Sequence, residues 1–99
     1  MNTIQLNKVL KIDRIAKKNF IGTFPIDLLP NKIKFPSCMI INNQPSYEEG
    51  EHWIAVYFNK NRSIDFFDSF GNSPKYYNIY NYLKSFASRI YFNNKKNPI

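Results

Sequence analysis

In this 99-residue sequence Cys38, His52 and Asp68 are the side chains to weigh as nucleophile, base and orienting acid. Cys38 is the single cysteine and His52 the single histidine. A carboxylate that accepts a hydrogen bond from an imidazole fixes its tautomer, and it favours the imidazolium formed when the ring takes a proton from a nucleophile. Whether His52 and Asp68 can meet depends on what lies between them. The runs from Trp53 to Phe58 and from Ile64 to Phe67 are strand-like, and the polar Asn59-Lys60-Asn61-Arg62 between them reads as a hairpin turn. With the turn centred on Lys60, Val56 faces Ile64, Ile54 faces Phe66, and His52 faces Asp68. Opposed residues of an antiparallel pair have Cβ atoms about 4.5 to 5.5 Å apart, close enough for that hydrogen bond. A loop one residue longer or shorter would send the two side chains to opposite faces. A structural role competes with the catalytic one, because a partly buried histidine with a satisfied ring nitrogen is common in cores.

Cys38 reads differently. It leads into Met39-Ile40-Ile41, the setting of an inert buried thiol, with no sign of the helix terminus or cationic neighbour that activates a cysteine. One cysteine excludes an internal disulfide, and one cysteine with one histidine makes no zinc set. No metal and no cofactor are expected.

The elements that must position the pair follow from periodicity and punctuation. Thr3 can cap a short helix with Leu6, Val9 and Leu10 on one face. From Phe20 to Pro36, Gly22, Pro25, Pro30 and Pro36 deny long helices and predict an extended, turning connector whose Leu28 and Leu29 pack on the core. Cys38 to Ile41 has the size of a buried strand, and Asn42 to Glu51 reads as a loop. Ser73 before Pro74 is a helix start, and Tyr76, Ile79, Leu83, Phe86 and Ile90 then form an apolar stripe at helical spacing. From Asn93 onward the chain is polar and expected to fray. The predicted class is α+β: a small mixed or antiparallel sheet with a packed helix, in a single domain over residues 1–99. At this length only about 60 to 65% of the unfolded surface can be buried, so the core should be thin.

The segments Glu51-His52-Trp53-Ile54-Ala55-Val56 and Phe66-Phe67-Asp68-Ser69-Phe70-Gly71 resemble the His-Trp-x-Ala and Phe-[Asp/Glu]-x-Phe-Gly signatures of the adenovirus protease (adenain-like) family of cysteine peptidases. Upstream, Phe20-Ile21-Gly22-Thr23-Phe24, the turn from Asp27 to Pro30 and Cys38-Met39-Ile40-Ile41-Asn42 are similar to the corresponding stretches, so the resemblance covers nearly the whole chain. It implies a papain-like α+β fold and an ancestry in DNA viruses or virus-like transposons. It also implies a Cys-His-Asp arrangement with His52 as general base and Asp68 as the carboxylate that orients it. Trp53 would support the imidazole by packing, or would simply be a large core residue. The family pattern continues with a Gln for the oxyanion hole and a nucleophilic Cys-Gly. Neither follows Asp68; the only glutamines are Gln5 and Gln44. The expectation is therefore a truncated domain, inactive as it stands, that would act on a polypeptide substrate only if completed by the missing C-terminal part. Another polypeptide could supply that part, making this one piece of a split active protease.

A net charge of +7 admits a further class, a basic module that binds nucleic acid through phosphate contacts. The resemblance adds to it, since DNA is an activating cofactor in the adenovirus family. Genome composition competes: Asn, Lys, Ile, Tyr and Phe, all with A/T-rich codons, make up more than half of the chain, and no basic run exceeds pairs such as Lys17-Lys18 and Lys95-Lys96. No apolar run approaches the roughly 20 residues that span a bilayer, and the amino terminus has no leader pattern. A soluble intracellular protein is expected, in a virion or host nucleus if its origin is viral.

Overall fold

A computed structural model describes residues 19–43, 52–68, 70–93 and 98–99. The helix expected after Thr3 and most of the loop before Glu51 lie outside the described residues. The described residues form a five-stranded mixed sheet with one short helix, an α+β arrangement. The strands are β1 (Phe20–Pro25), β2 (Ser37–Asn42), β3 (Trp53–Phe58), β4 (Ser63–Asp68) and β5 (Arg89–Phe92), lying side by side in chain order. β1 pairs with β2 in parallel, β2 with β3 and β3 with β4 antiparallel, and β4 with β5 in parallel. Four strands therefore run in one direction and β3 alone runs against them. Among the described residues no helix is long and apolar enough to cross a membrane.

Alternation sorts the sheet into two faces. On the first, Met39, Ile41, Ile54, Val56, Phe58, Ile64, Phe66 and Ile90 form one buried cluster. Burying each large side chain there contributes roughly 1.5 to 3 kcal/mol. The crossover from β4 to β5 closes over this face with Ile79, Leu83 and Ala87, and Tyr82 ties the crossover to the connector by donating its hydroxyl to the Pro30 carbonyl at 2.7 Å. On the second face Ile40 and Ala55 are buried, while Trp53, Tyr57 and Phe67 are half-buried.

The central hairpin was expected, and its register is corrected by the turn. Arg62 N–H donates to the Asn59 carbonyl at 2.9 Å and Asn59 N–H to the Ser63 carbonyl at 2.8 Å, with Arg62 at a φ of +69°. This three-residue loop ends in a left-handed residue and centres on Asn61, not Lys60. Ile54 consequently pairs with Asp68 and Val56 with Phe66, a slip of two positions. A slip of two preserves the face, so His52 and Asp68 remain on the same side, diagonal to each other instead of directly opposed.

The connector from Phe20 to Pro36 opens with a strand, β1, because its proline sits at the end of an edge strand where no ladder N–H is lost. Leu29 packs against the core, but Leu28 is exposed. The single long helix expected from Ser73 is also corrected. Ser73 and Pro74 do start a turn, with Tyr76 N–H donating to the Ser73 carbonyl at 3.0 Å. Asn78 then takes a φ of +61°; its N–H reaches Lys75 O at 3.2 Å and that of Ile79 reaches Pro74 O at 3.1 Å, the bond pair that terminates a helix. Of the stretch expected to be helical from Ser73 onward, Tyr80–Lys84 (α1) is the α-helical part. Ile79 and Leu83 are buried as the stripe requires, Tyr76 is exposed, and Ile90 reaches the core from β5.

Candidate active site

Because β1, β2, β4 and β5 share a direction, their carboxyl ends lie on one edge of the sheet, where β3 begins. In such sheets, side chains just beyond the strand ends gather at a common crevice. Here those positions are Asn43 after β2, Asp68 closing β4, Asn93 after β5, and His52 immediately before β3.

The structure brings the two sequence-predicted site residues together. His52 Nε2–H donates to Asp68 Oδ1, and both side chains are buried. An ionised carboxylate can only accept, so the bond requires a proton on Nε2. The Asp68 carboxylate takes three more donors: Phe70 N–H on Oδ1 at 3.2 Å, and on Oδ2 Asn72 N–H at 3.0 Å and the Tyr77 hydroxyl at 2.6 Å. Burial alone would raise this carboxyl's pKa. The bonds from Tyr77, His52, Phe70 and Asn72 outweigh it and hold the group below its ordinary value. Tyr77 responds in the opposite direction, its hydroxyl pushed up to about 12 by burial and by donation to Asp68.

The backbone of Asp68 is fixed as well. Asp68 N–H donates to Asn93 Oδ1 at 2.8 Å, Asn93 Nδ2 donates to the Asp68 carbonyl at 2.9 Å, and Gly71 N–H reaches that carbonyl at 2.9 Å. Asn93, expected to begin a frayed tail, is a two-point clamp on the end of β4. Asn43 N–H donates to the His52 carbonyl at 3.0 Å, extending the ladder by one pair, and its buried Oδ1 finds no hydrogen-bond partner among the described residues.

Sequence reasoning did not identify Phe70, Asn72, Tyr77 or Asn93 as parts of this site. The one available signal was Asp68-Ser69-Phe70-Gly71 itself, since an aspartate before a turn glycine commonly bonds the backbone N–H two residues on. The ring stacked on His52 is Phe70, with centroids 4.0 Å apart and planes 6° from parallel. Trp53, the residue expected to support the imidazole, is half-buried and faces the other side of the sheet by alternation.

Cys38 is buried and pairs with Tyr57 in the ladder, on the face opposite the cluster that includes Ile54 and Val56. The sheet itself separates it from His52 and Asp68. No cluster of three or more His, Cys, Asp or Glu among the described residues could hold a metal ion. The arrangement is a buried, ionised carboxylate that holds one histidine through Nε2–H. A scan against protein-family models finds no match for this chain, and a search of curated proteins finds none either.

Proposed function

We propose that this chain is the His-Asp part of a cysteine peptidase domain of the adenovirus-protease type, papain-like in fold, and that these 99 residues alone have no peptidase activity. The observation that carries the reading is the buried His52–Asp68 pair at the carboxyl edge of the sheet, on the two strands whose motifs resemble that family. In that role Asp68 would hold the imidazole through Nε2 and stabilise the imidazolium formed when the ring takes a proton from a nucleophile. The oxyanion Gln and the Cys-Gly of the family pattern have no counterpart after Asp68, and Cys38 lies across the sheet. Covalent catalysis therefore awaits a thiol from outside these residues.

A peptide-cleavage assay of the 99-residue chain should read zero, unchanged by His52→Ala or Cys38→Ser. Activity abolished by Cys38→Ser would overturn the proposal. Sequencing the transcript beyond the codon for Ile99 should reveal a Gln and then a Cys-Gly in frame or in a companion message. The completed protein should cleave peptides and lose that ability on His52→Ala; activity that survives the substitution would refute the role given to His52.

A second reading, nucleic-acid binding, is favoured by Tyr80, whose ring has Lys75 Nζ at 4.8 Å and Lys84 Nζ at 5.8 Å from its centroid. An aromatic ring flanked by cations suits stacked bases and their phosphates. Association with single-stranded DNA should weaken with added salt and with the Lys75→Ala, Lys84→Ala double substitution. Binding indifferent to both would remove this reading.

A further inference from the structure

Phe70 and His52 are stacked rings of opposite exposure: the imidazole is 3% exposed and the phenyl ring's residue 70%. With so much of its surface in water, Phe70 gains little from the core. What it has is a parallel contact with one face of the imidazole.

The backbone places it there. β4 stops at Asp68, and a turn closed by Gly71 N–H on the Asp68 carbonyl folds the chain back; Gly71 adopts a φ of +77°, which glycine reaches without strain. Within that turn Phe70 N–H donates to Asp68 Oδ1, the same oxygen that accepts the proton of His52 Nε2. One atom thus locates both the imidazole and the residue stacked upon it. In the hairpin register Ile54 pairs with Asp68, so an uninterrupted ladder would have carried Phe70 to the position across from His52. The turn keeps it beside His52 while letting its ring lie flat on the imidazole.

We infer that Phe70 is a positioning residue for His52: its ring fixes the imidazole plane so that Nε2–H stays directed at Asp68, and it screens that bond from water. Offset or parallel aromatic contact resists tilting of the ring, and exclusion of water strengthens the hydrogen bond beneath it. The catalytic meaning of this role rests on reading His52 as the general base; the stack itself is testable without any activity.

The test is nitrogen and proton NMR of the His52 imidazole in the folded chain, comparing wild type with Phe70→Ala, Phe70→Leu and Phe70→Tyr. In wild type the Nε2–H tautomer should dominate, its proton should exchange slowly, and the ring protons should be displaced upfield by the phenyl current. In Phe70→Ala, water exchange of the Nε2 proton and the population of the other tautomer should each rise about three- to ten-fold. Phe70→Tyr should restore the wild-type values, and Phe70→Leu should restore them only in part. An unchanged tautomer ratio and exchange rate in Phe70→Ala, or full restoration by Leu, would overturn the inference. Should Phe70→Ala lose the fold, Phe70→Leu against Phe70→Tyr carries the same comparison. A failure of the peptidase reading would appear in the activity of the completed protein and would leave these NMR outcomes untouched.

Discussion

The two ends of the β3–β4 hairpin are built from the same local chemistry and put it to different use. At the turn end, Asn61 Oδ1 accepts Ser63 N–H at 3.1 Å, and Arg62 adopts a left-handed conformation. At the open end, Asp68 Oδ1 accepts Phe70 N–H at 3.2 Å, and Gly71 adopts one. In both, a side-chain oxygen bonds the backbone N–H two residues on, the standard means of stabilising a reversal. The turn end is exposed and its acceptor is neutral. The open end buries a carboxylate and surrounds it with donors from Asn72, Tyr77 and His52 beyond the one a turn requires. A reversal needs a single such bond. The additional donors at Asp68 are explained by keeping a charge ionised inside the molecule.

The largest effect that could break this contrast is at Asp68. Asp68→Ala leaves four donors, the buried His52 among them, without their acceptor and should cost about 3 to 5 kcal/mol, whereas Asn61→Ala should cost about 1 kcal/mol or less. Urea denaturation of the two variants measures both. If the costs were equal, the open end would be only another turn.

Next is Tyr77→Phe, which removes the 2.6 Å donation to Asp68 Oδ2 and should cost about 1.5 to 3 kcal/mol at neutral pH. Its pH dependence sharpens the point. Asp68 is the stronger acid when folded, so its contribution is complete above the unfolded carboxyl value of about 4 and is lost as pH falls through the lower folded value. Tyr77 and Tyr82 are raised to about 12, so their contributions are complete below the unfolded phenol value of about 10 and are lost as pH rises towards 12. Thermal melts across pH should show an acid limb below about 4 and an alkaline limb between about 10 and 12. Tyr77→Phe should make both limbs shallower, while Tyr82→Phe should soften only the alkaline one, since Tyr82 bonds the Pro30 carbonyl and not Asp68.

How much of this was legible follows from where short-range patterns decide the structure. β2, β3 and β4 were legible because apolar runs bounded by Asn, Gly and Pro leave few alternatives, and the shared face of His52 and Asp68 survived because a register slip of two preserves parity. The slip itself depended on Arg62 taking a left-handed φ, a conformation uncommon for that residue type. The same cause hid the break in the helical stripe at Asn78: Ile79, Leu83 and Ile90 satisfy helical spacing while the chain passes through a turn, a helix and a strand. Asn93 was hidden because its partner is the backbone of Asp68, 25 residues earlier. Phe70 was visible only as a motif letter, since its contact with His52 arises from the turn that follows Asp68.

The smallest effects test whether the two left-handed positions are interchangeable. Arg62→Gly relieves roughly 1 kcal/mol of left-handed strain, but glycine frees the unfolded chain by a comparable amount. The substitution also removes the guanidinium from above the Phe35 ring, 4.4 Å away, a contact worth about 0.5 to 1 kcal/mol when exposed. The sum should lie within about 1 kcal/mol of zero. Gly71→Ala has no such compensation. A Cβ there meets nothing closer than Asn93 Nδ2 at 3.8 Å, so the cost is conformational, about 1 to 2 kcal/mol. Strain at this position can be relieved only by moving the backbone that presents Phe70 to His52. Gly71→Ala should therefore disturb the His52 imidazole resonances as well as stability, and Arg62→Gly should leave them unchanged. If both substitutions proved silent at His52, the turn after Asp68 would be a connector like the one at Asn61, and the stacking of Phe70 would not depend on it.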